Sequence, residues 1–159
     1  MIEKTAYVEQ LHGLTFAARM SSNHWVMMDS KAEVGGSGAA SSPKELILAA
    51  LAGCTGSDVA SILQKKRVKI DVFTMHLTAQ ETQEHPKIFS SIHVEFVFKG
   101  ENIQSRDVER AIELSSTKYC SVSAMLKPTV KITTSYRIEN REMELIAESE
   151  DALSMQRQN

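Results

Sequence analysis

The sequence is short of cysteine, of net charge and of targeting signals, and each shortage removes a class of protein. Two cysteines among 159 residues cannot make the disulfide framework of a small secreted scaffold. In a reducing compartment they are either inert core thiols or reactive ones. A formal net charge of −2 gives no electrostatic case for nucleic acid or for an anionic membrane surface as a partner. The opening Met1-Ile2-Glu3-Lys4-Thr5-Ala6-Tyr7 has no basic region followed by an apolar run. Neither a signal peptide nor a transmembrane segment is expected, and a cytoplasmic location follows as the default. The five histidines are scattered and neither cysteine has a partner at zinc-ligand spacing, so no structural metal is expected. Gly35-Gly36-Ser37-Gly38 lacks the ending of a P-loop, and no strand runs into a GxGxxG turn. No cofactor is expected. With no repeat and no linker, residues 1–140 read as a single domain long enough to bury a real core. Residues 141–159 read as an acidic, then polar, loosely helical tail, with Met143, Ile146 and Leu153 as weak anchors.

What is present centres on Ser42 to Val59. Ser42 fits a helix N-cap, Pro43 the first helical position and Glu45 the third, which together make a capping box. Leu46 to Cys54 carries no charge and no polar face. Such a helix is expected to be buried on all sides, hence central. The run is too short to span a bilayer and is closed by Glu45 and Asp58. Within it, Ala52-Gly53-Cys54-Thr55-Gly56-Ser57 is thin-walled. A helical glycine costs about 1 kcal/mol relative to alanine, so two of them predict close approach of another backbone or a ligand.

The first thirty residues read as three strands, Lys4 to Leu11, Leu14 to Met20 and His24 to Asp29, separated by His12-Gly13 and Ser21-Ser22-Asn23 turns. Residues 30–41 form a flexible connector or flap. The capped helix runs from Pro43 to about Lys66, with Lys65, Lys66 and Arg67 suited to its C-terminal end. Two long strands follow across a polar tip at Glu81 to Pro86. In the second, Ile88, Ser90, Ile92, Val94, Phe96 and Phe98 share one face, which predicts a sheet with one buried side. Residues 103–118 repeat helically, Tyr119-Cys120-Ser121 breaks that helix, and Ser121 to Leu126 forms a short second one before Pro128. Val130, Ile132, Thr134, Tyr136 and Ile138 make the last strand. The fold class is α+β: antiparallel sheets wrapped around a buried central helix.

Each candidate residue carries two readings. Cys54 is a core thiol or a reactive one. Cys120 is a filler at a helix junction, or a thiol whose ionised form is favoured by the following helix. Asp58, one turn past Cys54, bonds a nearby polar group or marks where the helix nears solvent. His24, His76 and His93 read as wet-face or hydrogen-bonded strand residues. Trp25, Phe96, Phe98 and the methionines read as core.

Ser42-Pro43-Lys44-Glu45-Leu46 with Ala52-Gly53-Cys54-Thr55, followed by Lys118-Tyr119-Cys120-Ser121-Val122-Ser123-Ala124-Met125-Leu126, resembles the OsmC/Ohr family of osmotically inducible and organic hydroperoxide resistance proteins. The resemblance covers roughly residues 5–138 and is nearest to the uncharacterised OsmC-like branch. It implies an intertwined homodimer with two sites at the interface, a peroxidatic Cys54 and a resolving Cys120. It further implies a small apolar hydroperoxide as substrate, held by apolar walls that include Leu51 and Met125, and an external dithiol as reductant. In the family's reductases an Arg from the N-terminal strands and a Glu directly after the helix-opening Pro activate the thiolate. Here Arg19 is the one Arg in those strands, and its other reading is a solvated strand-end charge. The Glu position holds Lys44. Glu45 follows one residue later, about 100° around the helix, where it also serves the capping box.

Three functions compete. The first is thiol-dependent reduction of organic hydroperoxides by Cys54 and Cys120. The second is a non-catalytic module that binds a hydrophobic ligand or senses redox state with the same interface pocket, which the Lys44 departure favours. The third, a thioester enzyme of the hot-dog type, lacks a catalytic carboxylate on the central helix and leaves two cysteines unexplained.

Overall fold

A computed structural model describes residues 2–139 of the chain. The expected C-terminal tail lies outside the described residues. The chain divides into two compact units, one ending at Ala50 and the other starting at Leu51.

In the first unit β1 (Ala6–His12), β2 (Thr15–Met20) and β3 (Trp25–Met28) form an antiparallel sheet in chain order. Gly13 and Asn23 have positive φ and sit in the two predicted turns. The sheet keeps little of itself dry. Ala17 and Ala18 are buried, while Tyr7, Val8, Leu11, Met27 and Trp25 are exposed. Trp25 is thus not a core residue of the single chain.

The stretch after β3 is held rather than loose. Asp29 is 1% exposed, and its carboxylate accepts hydrogen bonds from the Ser30, Ser37 and Ala39 N–H groups at 2.7, 3.2 and 3.0 Å, and from the Ser37 hydroxyl. With the Thr15 side chain, these bonds hold its carboxyl down to about 2. The chain between them makes a 3-10 turn, Ala32–Val34, and passes so close to Ser30 that a Cβ on Gly36 would lie 1.9 Å from the Ser30 carbonyl oxygen. The flexible connector of the sequence reading is therefore an ordered loop, folded around one buried carboxylate.

Helix α1 (Pro43–Lys65) opens with the predicted capping box. The Ser42 N–H donates to Glu45 at 2.6 Å and the Glu45 N–H donates to the Ser42 hydroxyl at 3.4 Å. The helix is not buried on all sides in the single chain. Leu51, Thr55, Val59 and Leu63, four residues apart, form a buried stripe, and Gly53, Ser57 and Ala60 face outward. At 23 residues α1 has the length and composition of a membrane-crossing helix, as many core helices of soluble proteins do. It is longer than the uncharged run that the sequence reading measured.

In the second unit β4 (Val72–Glu81) and β5 (Phe89–Lys99) pair antiparallel, and β6 (Lys131–Glu139) joins β5. That last pairing is parallel, Ser91 with Lys131 through Lys99 with Glu139, so the second sheet is mixed rather than antiparallel. The reason is the connection. From Lys99 to Lys131 the chain passes through α2 (Ser105–Leu114), a π turn (Ser115–Tyr119) and α3 (Ser121–Leu126), a helical crossover long enough to bring the strand back in the same direction. Ile92, Val94, Phe96 and Phe98 are buried on one face of β5, with Phe73 stacked on Phe98 at 4.7 Å. Ile88 is exposed and Phe89 is buried instead, because a bulge at Gln80–Glu81 shifts the register there. On α2, Val108, Ala111 and Ile112 are buried. Gly56 of α1 is approached by the Met75 side chain of β4, not by the backbone or ligand that the sequence predicts. Gly53 faces open space.

Candidate functional site

Cys54 lies midway along α1, half-buried, and Asp58 follows one turn later on the same face. Across from them the chain leaves α2 through the π turn, which widens the helix by a residue and ends it at Cys120. Cys120 then caps α3. Its sulfur accepts from the Ser123 N–H at 3.3 Å, and its carbonyl accepts from the Ala124 N–H at 3.0 Å. Its own N–H donates to the Ser115 carbonyl at 2.9 Å.

Ser115 is the hinge pin of this arrangement. It is 1% exposed, and its hydroxyl donates to Asp58 Oδ2 at 2.9 Å. One residue thus ties α1 through its side chain and Cys120 through its backbone. The result brings together residues 66 apart in the chain: the two sulfurs and an Asp58 oxygen all lie within 4.8 Å of one another. The Ser121 hydroxyl is 3.9 Å from the Cys54 sulfur. Metal-ligand spacing in the sequence does not reveal this cluster, because its donors come from two separate elements.

The two thiols are made unequal. For Cys54 burial is the largest influence and pushes the thiol up. Hydrogen bonds from the Cys120 thiol, the Val122 N–H and the Ser121 hydroxyl together outweigh burial and the Asp58 charge, leaving Cys54 below its ordinary value of 9.0. For Cys120 burial is again largest and upward. The hydrogen bond it gives to Cys54 and the charges on Cys54 and Asp58 add to it, and Cys120 is pushed up to about 11. Cys54 is therefore the more readily ionised of the two thiols, with Cys120 donating to it.

The other predicted residues have their own partners. The Arg19 guanidinium is stacked 5.9 Å from the Tyr7 ring and 5.7 Å from the Trp25 ring, its neighbours across β1 and β3. It is an aromatic-stacked residue rather than a bare strand-end charge. Glu45 is engaged in the capping box, and those bonds hold its carboxyl below the ordinary value. Leu51, an expected pocket wall, is fully buried, whereas Met125 is 70% exposed. Sequence reasoning missed Ser115 and the π turn. It left open whether Asp58 bonds a polar neighbour, and Ser115 is that neighbour. Beside the cluster a cavity of about 310 Å³ is lined by residues that include Asp58, Ser61, Lys65, Lys66 and Tyr119.

Comparison with known proteins fits this geometry. Residues 35–135 match the family model described as OsmC-like protein. Protein YhfA of Escherichia coli strain K12 is 40% identical over 134 residues, which cover 84% of this chain and 96% of that protein. The crystal structure of a hypothetical protein from Aquifex aeolicus superposes with a TM-score of 0.78 at 30% identity, covering 89% of this chain and 99% of that one. An organic hydroperoxide resistance protein OsmC from Legionella pneumophila shares the fold at a TM-score of 0.63 and 16% identity, covering 86% and 97%. By the extent of the model match and the identity to YhfA, the chain belongs to the OsmC-like protein family.

Proposed function

We propose that the protein reduces organic hydroperoxides with two cysteines. The Cys54 thiolate attacks the O–O bond. The alkoxide leaves, takes a proton and becomes an alcohol, while Cys54 becomes a sulfenic acid. The Cys120 sulfur then attacks the Cys54 sulfur, water leaves, and a disulfide forms. An external dithiol reduces that disulfide by exchange and is itself oxidised. The observation that carries this reading is the thiol pair, with both sulfurs in one cluster and Cys54 the more readily ionised. Family relatives named as organic hydroperoxide resistance proteins support the choice of substrate class.

The working form we propose is a cytoplasmic homodimer, with residues 1–140 acting as one domain per chain. The exposed apolar residues of the first sheet and the outward Gly53, Ser57 and Ala60 of α1 are surfaces that a second copy would cover. Arg19 and Glu45 would support the Cys54 thiolate in that assembly.

One observation favours the second reading, a binding or redox-sensing module. The Arg19 guanidinium stacks on two rings and the Glu45 carboxylate serves the cap, so both proposed activators have other structural work. Consumption of cumene hydroperoxide with dithiothreitol decides between the two. The reductase predicts turnover that Cys54→Ser abolishes, and loss of roughly tenfold or more in Arg19→Gln and Glu45→Gln. An absence of turnover in the wild type selects the module.

A further inference from the structure

Asp58 is an unexpected neighbour for a reactive thiol pair. Ionised, it places negative charge beside two sulfurs, one of which must also become negative to react. Three donors of this kind have a second use.

We propose that Cys54, Cys120 and Asp58 form a binding site for a thiophilic divalent cation of the zinc class, which reversibly caps the thiol pair. The argument rests on geometry. The three donor atoms lie within 4.8 Å of one another. A tetrahedral ion with bonds of about 2.3 Å to sulfur and about 2.0–2.2 Å to oxygen spaces its ligands by roughly 3.5–3.8 Å. Closing the cluster on such an ion therefore takes a movement on the order of 1 Å. The donors converge from opposite sides, two from one face of α1 and one from the start of α3.

The ligands are also held from behind. Asp58 Oδ2 accepts from the Ser115 hydroxyl at 2.9 Å, which fixes the carboxylate and leaves its remaining lone pairs available. Cys120 is fixed by the Ser123 N–H at 3.3 Å. Outer hydrogen bonds of this kind orient metal ligands and are commonly worth a factor of about 10–100 in affinity. An approach from solvent exists, because Asp58 also lines the cavity of about 310 Å³ between α1 and the π turn. Three protein ligands leave the fourth position to water or a small ligand. Binding drives the thiol protons to solvent, and a dication then compensates the anionic donors. The metal occupies the lone pairs that would attack a peroxide, so the capped protein is protected from oxidation and inactive until the ion is withdrawn.

The inference shares its site with the proposed reductase but needs only the reduced thiols, so two arms of one experiment separate them. Reduced protein is titrated anaerobically with cobalt(II), reading the thiolate-to-cobalt charge-transfer absorption, and zinc(II) is then added in competition. The expected result is one cobalt per chain, displacement by zinc, and zinc protection of both cysteines from iodoacetamide. Asp58→Asn is expected to weaken cobalt binding roughly tenfold or more. Asp58→Ser, of smaller volume, is the second variant should Asp58→Asn lose its fold. No charge-transfer band in the wild type, or undiminished affinity in the folded Asp58 variant, overturns the site. The other arm treats metal-free wild type with cumene hydroperoxide. A failure to form the disulfide there, with cobalt binding intact, counts against the reductase and not against the metal site.

Discussion

Cys54 and Cys120 begin with the same chemistry and are separated by their neighbours. Cys54 receives hydrogen bonds from Cys120, Ser121 and Val122, while Cys120 is buried and gives one away. The expected outcome is selective alkylation. At neutral pH substoichiometric iodoacetamide modifies Cys54 well ahead of Cys120, read by peptide mass mapping. Equal labelling, or faster labelling of Cys120, contradicts the assignment. The sequence exposed the two cysteines as a pair to consider because motif and resemblance are both local. It did not expose Ser115, whose importance comes from bonding Asp58 on another element and Cys120 five residues along. A serine near the end of a helix has many uses, and only the crossover selects this one. Trp25 misled for a related reason. Large aromatics are usually buried, but this one faces out of the first sheet and holds Arg19. Phe98 follows the ordinary rule. It is fully buried and stacked on Phe73, so Phe98→Ala is expected to cost about 3–5 kcal/mol in denaturant unfolding. A cost near zero would show that β5 does not carry the core.

At the level of elements, periodicity and turn signals together located the six strands and three α-helices of the described residues. What it could not give was direction. A strand with one wet face alternates identically in parallel and antiparallel sheets, so the last strand was expected in an antiparallel sheet. The long helical connection before it was the available signal. The loop after β3 was also misread, since its glycines suggest freedom while its organiser, Asp29, is a single acidic residue at a strand end. That carboxyl is held down to about 2, below its ordinary 3.8, so the folded chain takes up the proton later than the unfolded chain does. The stability this contributes is complete above the ordinary value and is lost as the pH falls toward 2. Asp29→Asn should therefore narrow the difference in thermal midpoint between pH 6 and pH 2.5 relative to the wild type. An unchanged difference would mean that the staple contributes nothing. Gly36→Ala should lower the midpoint at every pH, because its Cβ meets the Ser30 backbone rather than a movable side chain.

For the whole molecule, the proposed homodimer explains why an apolar helix shows an outward face of small residues. Gly53 provides a clean probe. Among the described residues nothing beyond the helix's own neighbouring turns lies within 4 Å of a Cβ placed there, and glycine is a poor helix former, so Gly53→Leu should be neutral or mildly stabilising for the isolated chain. If α1 packs on a second copy, the same substitution should convert dimer to monomer in sedimentation equilibrium. A wild type that sediments as a monomer, or a Gly53→Leu dimer as tight as the wild type, contradicts that packing. The most direct test of the central claim is the intact mass of the reduced protein after one equivalent of cumene hydroperoxide, compared among wild type, Cys54→Ser and Cys120→Ser. The account predicts that the wild type loses two hydrogens as a disulfide, Cys120→Ser gains one oxygen as a sulfenic acid, and Cys54→Ser is unchanged. A wild type whose thiols both stay reduced, or a Cys54→Ser protein oxidised as readily as the wild type, would contradict it.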